Sequence, residues 1–101
     1  MMDRDKARMR AAVMTAMLVN EHTMQDHKQI GDRASATLGW QMTGSTAAGI
    51  LRGMENAGLV RRREYHERDD RGTAAGEGSW RQLTAAGRYA AEIMRALLEG
   101  E

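Results

Sequence analysis

Apolar residues recur along this chain at helical spacing in four places and alternate at strand spacing around one arginine-rich hairpin. From Asp3 to Asn20 no glycine or proline interrupts the pattern, and Met9, Val13, Ala16, Met17 and Asn20 share one helical face with Ala12 beside them. This predicts a first helix over residues 3–20. Met14 and Leu18 lie off that stripe, so the helix carries more apolar surface than one small contact uses; either packing inside the domain or a dimer mate would cover it. A polar stretch, Glu21 to Gln25, follows. Asp26 suits the N-cap of a second helix, 26–38, in which Ile30, Ala34 and Leu38 repeat every fourth residue before Gly39 ends the run.

Trp40, Gln41 and Met42 then make a turn, and Thr43 or Ser45 can cap a third helix, 43–57, with Ala47, Ile50, Leu51 and Met54 inward. Gly58 closes it, at the position where a left-handed backbone is easiest for glycine. Two short helices about a tight turn form the helix-turn-helix plan. Beyond Gly58 the texture changes: Leu59, Val60 and Tyr65 bracket Arg61, Arg62, Arg63 and Glu64 in a short strand. Glu67 to Ser79, rich in Gly, Asp and Arg, reads as a long loop, and Trp80, Gln82 and Thr84 alternate with Arg81 and Leu83 in a return strand. Thr84 can cap a last helix, 85–99, with Ala86, Tyr89, Ala90, Ile93, Met94, Leu97 and Leu98 on one broad face.

At 101 residues, 42% hydrophobic and 29% charged, the chain suits one folded domain, 1–101. No apolar run reaches the roughly 18 residues of a membrane span, and the first residues lead into charge, so a cytoplasmic protein without membrane attachment is expected. The absence of cysteine removes disulfides and thiolate metal sites. A net charge of +1 selects no partner, but thirteen of the fifteen cations are arginine, whose planar fork suits phosphates and base edges; a GC-rich genome would give the same excess. The nine methionines stand in for the missing phenylalanine as flexible core filler, or would line a promiscuous binding face.

The stretches STAAGILRGMENAGLVRRR, RDDRG and RQLTAAGR resemble the winged helix-turn-helix regulators of the MarR and PadR type, over about residues 27 to 95. The sharpest matches are Leu51, Met54, Glu55, Gly58, Leu59, Val60 and Arg62 at the end of the third helix and the first wing strand. Asp70, Arg71, Leu83, Thr84 and Gly87 match at the wing and its exit. The resemblance implies an α+β, mainly helical fold: three helices, a two-stranded wing over 59–84 and a C-terminal helix. It further implies a transcriptional regulator that acts as a homodimer on an inverted-repeat operator in double-stranded DNA, and the surplus apolar positions of the first and last helices make these the expected pairing surface. Full-length MarR regulators have longer flanking helices that enclose a ligand pocket, for which 101 residues leave little room, so no small-molecule inducer is expected.

A recognition helix in the major groove reads guanine with Arg and adenine with Asn or Gln, and here Arg52 and Gln41 qualify. The other outward positions, Ser45, Thr46, Ala48, Gly49 and Gly53, are short. Thr43, Ser45 and Thr46 suit phosphate or base contacts, and Lys28 and Arg33 on the second helix could hold phosphates or merely be solvated. Arg61 and Arg63 should point to one side of the wing strand and Arg62 to the other, with Arg68 and Arg71 at the tip, in reach of a minor groove. Asp69 and Asp70 offset part of that charge; as the resemblance implies, one of them would orient Arg71. Gly49 and Gly53 each weaken the helix by about 1 kcal/mol relative to Ala, a cost explained by a close approach at that face or by a core side chain that needs the room.

No enzyme is expected: His22, His27 and His66 lack metal-ligand spacing, no Gly-x-Ser-x-Gly or phosphate loop is present, and no carboxylate pair stands apart, so neither metal nor cofactor is implied. The shortage of base-reading side chains keeps two other roles open. One is a protein-interaction module that docks a partner helix on the third helix; the other is an architectural protein that binds DNA without a defined site.

Overall fold

The first helix is the hub. The computed structural model describes residues 3–19, 25–68 and 74–100, and in it α1 (Asp3–Leu18) packs against both α2 (His27–Leu38) and α4 (Ala85–Glu99). A helix covered on two sides needs two apolar stripes, which explains Met14: it is fully buried with Val13 and Met17 in the domain's own core, and Leu18 packs at its edge. Intramolecular packing, not a dimer mate, therefore covers Met14. The same core takes Ile30 and Ala34 from α2, Leu51 and Met54 from α3 (Gly44–Asn56), and Val60 and Leu83 from the base of the hairpin. Five methionines, at positions 9, 14, 17, 42 and 54, are buried in it, where flexible thioethers fill the gaps between short helices.

Local chemistry sets the helix ends. Asp26 caps α2 by accepting the Gln29 amide at 2.8 Å, and Gly39, at φ +82°, ends it while its amide donates to the Ser35 carbonyl. Thr43, rather than Ser45, caps α3 by accepting the Thr46 amide at 3.2 Å. Its far end closes as a Schellman motif, with Gly58 at φ +77° donating to the Glu55 carbonyl and Leu59 to the Met54 carbonyl. Thr84 caps α4 and joins it to that motif: its hydroxyl donates to the Gly58 carbonyl at 2.7 Å, and its amide donates to the Leu59 carbonyl at 3.0 Å.

The wing is the expected two-stranded hairpin, and among the described residues a short further strand joins it, in the order β1 (Gln25–Asp26), β3 (Ala74–Leu83), β2 (Val60–Arg68), all antiparallel. β1 lies at the end of the polar stretch after α1; two residues carry no detectable period, so its pairing with Trp80 and Arg81 leaves no local trace. The hairpin strands are also longer than their apolar residues suggest. Much of the expected loop from Glu67 to Ser79 is ladder, with pairs such as Tyr65↔Gly78 and Glu67↔Gly76 and an irregularity between Glu67 and Arg68. Backbone hydrogen bonds hold such a ribbon even where the side chains are poor strand formers. Asp69, Asp70 and Arg71 lie outside the described residues, as do Asn20 and Glu21 to Met24. No helix among the described residues is long and apolar enough to cross a membrane.

Candidate nucleic-acid interface

The turn that presents α3 is built from the inside. Ser35, buried on α2, donates to the Gly31 carbonyl at 2.8 Å and accepts the Met42 amide at 2.9 Å, which fixes Met42 in the core and leaves Gln41 and Thr43 outside. Gly31 faces Ala47 where the two helices meet: a Cβ there would stand 3.4 Å from the Ala47 Cβ, about van der Waals contact. Thr43 then starts α3 with a hydroxyl cluster, donating to Thr46 Oγ1 at 2.8 Å and lying 3.3 Å from Ser45 Oγ. These hydroxyls surround the positive end of the helix, where backbone amides and the dipole favour an anion.

Two grooves flank this helix start. On the α2 side, Lys28, Gln41 and Thr43 line a cavity of about 340 Å³ with Asp32 among their neighbours. Gln41 turns its amide onto the Met42 carbonyl at 3.1 Å, so part of the side chain expected to read adenine is engaged with its own backbone. On the α1 side, Ser45 and Thr46 border a cavity of about 640 Å³ whose opposite wall includes Lys6 and Arg10. Ser45, Gly49, Arg52 and Asn56 are all exposed and follow one another at helical spacing along the outer face of α3, the first two also bordering the α1 groove. A Cβ on Gly49 or Gly53 would meet nothing within 4 Å, so no core side chain demands either glycine.

The hairpin is fastened to α3 by a charge pair that periodicity did not reveal. Arg81, 6% exposed, donates from Nε to Glu55 Oε1 at 2.9 Å and so sets the base of the wing against the last turn of the helix. Arg62 lies opposite Arg81 in the ladder, and Arg61 lies opposite Gln82, to whose Oε1 it donates at 2.7 Å. Arg61 and Arg62, adjacent in the ladder, therefore face opposite sides of β2. Arg61 and Arg62 are exposed; Arg63 and Arg68 sit on β2, but their side chains, like all of Arg71, lie outside the described residues.

Arg33 departs from the phosphate role weighed for it. It is half-buried and donates to Gln25 Oε1 at 2.6 Å, while Gln25 Nε2 donates to the Met17 carbonyl at 3.0 Å. This chain of bonds ties β1 to the end of α1 and to α2. Lys6, Arg10 and Asn56 are the surface residues that sequence reasoning passed over. The first two recur four apart on the polar side of α1, and Asn56 sits four after Arg52; only the fold shows that these positions border α3's exposed surface.

Neither a protein-family model nor a curated protein matches the chain. Solved structures do. A PadR-like transcription factor from Bacteroides fragilis aligns with TM-score 0.62 at 16% identity, over 97% of this chain and 91% of that one. PadR from Bacillus subtilis, in complex with operator DNA, aligns with TM-score 0.59 at 14% identity, over 80% of this chain and 44% of that one. A MarR-family transcriptional regulator from Silicibacter pomeroyi aligns with TM-score 0.56 at 25% identity, over 89% of this chain and 52% of that one. The chain thus spans about half the length of the last two. With the turn, the capped third helix and the hairpin already in place, these likenesses give it the winged helix-turn-helix fold of PadR- and MarR-type regulators.

Proposed function

We propose that this chain is a sequence-specific, double-stranded DNA-binding transcriptional regulator that works in the cytoplasm as a dimer on an inverted-repeat operator. The observation that carries the reading is the outer face of α3: Ser45, Gly49, Arg52 and Asn56 stand exposed on a helix whose start is ringed by Thr43, Ser45 and Thr46. In this reading Arg52 reads a base, Gln41 contacts a base from the turn, and Lys28, Thr43, Ser45 and Thr46 hold phosphates. Arg61, Arg62 and Arg63 follow the backbone beside the wing, and Arg68 and Arg71 enter the minor groove at its tip. Support for the ligand comes from the Bacillus subtilis relative in fold, which was solved with operator DNA.

Support for the dimer comes from α4, where Tyr89, Ile93 and Leu97 recur at four-residue spacing and are 71%, 47% and 70% exposed. Such a stripe on a small domain is the ordinary mark of a partner surface. Paired through α4 and the neighbouring part of α1, two copies would set their third helices into successive major grooves about 34 Å apart.

Gel-shift selection from fragmented genomic DNA tests the reading. Fragments retained at 0.15 M salt should share an inverted repeat, and competition with unrelated duplex should be weak. Retention of all fragments alike at similar low affinity would overturn sequence specificity and favour the architectural role, to which the short side chains of α3 also point.

A further inference from the structure

We propose that α1 carries a second phosphate contact of the DNA interface, formed by Lys6 and Arg10 across the groove from Ser45 and Thr46. The inference rests on the DNA-binding reading above and adds residues to that site. A helix lying in a major groove has a sugar-phosphate strand on each side of it, so its flanks need cations on both sides. On one flank of α3 stands Lys28 of α2; on the other stand Lys6 and Arg10 of α1.

The two flanks differ in charge. The α2 groove places Asp32 beside Lys28, whereas Lys6 and Arg10 are the only charged residues on the described lining of the α1 groove. Both cations are exposed, one helical turn apart, and Ser45 and Thr46 add hydroxyls from the far wall. Two like charges at this spacing repel along a free helix, and an anion held between them would relieve that repulsion. Gly49 and Gly53 lie along the same groove without a Cβ, which lowers the α3 wall and gives the strand room to reach α1.

Phosphate contacts are blind to sequence, so no operator is needed for the test. Binding of a fluorescein-labelled 24-base-pair mixed-sequence duplex is titrated by anisotropy from 0.05 to 0.3 M salt. Wild type is compared with Lys6→Gln, Arg10→Gln, the double variant and Arg95→Gln, the last removing an exposed charge on α4 outside both grooves. Each phosphate contact steepens the log–log salt dependence by about 0.9, so the double variant should lose about 1.8 of slope and roughly 10- to 30-fold of affinity at 0.15 M. Each single variant should lose about half of that slope, and Arg95→Gln should keep the wild-type slope. Equal slopes in wild type and double variant, or the same loss in Arg95→Gln as in Arg10→Gln, overturn the proposal while leaving the DNA reading intact. A wild-type protein that fails to bind duplex at 0.05 M salt overturns that reading itself, and this contact with it.

Discussion

The two glycines of α3 give the sharpest separation of folding from function. Both Gly49 and Gly53 lie in the interior of a 13-residue helix, and a Cβ on either meets nothing within 4 Å. Alanine there removes backbone freedom from the unfolded chain without a clash in the folded one, so each substitution should stabilise by about 0.8–1 kcal/mol and the pair by roughly 1.5–2 kcal/mol. For a domain of this size 1 kcal/mol moves the melting midpoint by about 4–8 °C, so Gly49→Ala/Gly53→Ala should melt about 6–16 °C above wild type. Gly49→Leu extends the argument, because leucine is nearly as good a helix former as alanine and fills the open face with a bulky side chain. It should fold at least as well as wild type yet bind duplex DNA more than tenfold more weakly. Thermal and urea unfolding followed by circular dichroism, with anisotropy titration in parallel, read both quantities. A double-alanine variant less stable than wild type would mean that the face is not open. A Gly49→Leu variant with wild-type DNA affinity would mean that α3 does not approach the duplex on that side.

Gly87 behaves in the opposite way: a Cβ there would stand 1.7 Å from the Leu59 carbonyl oxygen, so Gly87→Ala must push the α3–wing junction off α4 and should cost about 3 kcal/mol or more in urea unfolding. Glu55→Gln leaves Arg81 buried at the wing base without its counter-charge, at a cost of about 2–4 kcal/mol that Arg81→Met should partly restore in a double variant; unfolding of the four proteins measures the coupling. Thr84→Ala removes both the α4 cap and the bond to the Gly58 carbonyl and should lower stability by about 1–2 kcal/mol in the same assay. Ile93→Lys with Leu97→Lys should turn a dimer into a folded monomer in size-exclusion chromatography with light scattering; an unchanged mass would remove α4 from the interface.

The helix ends were legible because their causes are local. Asp26, Thr43 and Thr84 each cap through a hydroxyl or carboxylate three residues from its partner amide, and Gly39 and Gly58 take the left-handed geometry that their positions suggest. The resemblance in the stretch from Ser45 to Arg63 and in the wing exit supplied the architecture that local signals could not. What stayed hidden depends on elements distant in sequence: β1 gains its identity only by pairing with Arg81 and Trp80, and the burial of Met14 follows from a fold that packs α1 against both α2 and α4.

Counting arginines could not locate the interface, because the fold assigns them unlike tasks. Arg33 bonds a buried glutamine and Arg81 a glutamate across 26 positions, so these two hold the scaffold. Arg61 also has a partner, but Gln82 is neutral and leaves its charge uncompensated while fixing its direction. Among the described residues, the exposed cations on α3 and on the grooves beside it are Lys6 and Arg10 from α1, Lys28 from α2 and Arg52 from α3 itself. A net charge of +1 is therefore no argument against a polyanionic partner, since the field that such a partner would meet is set by which cations are exposed beside α3, not by the sum over the chain.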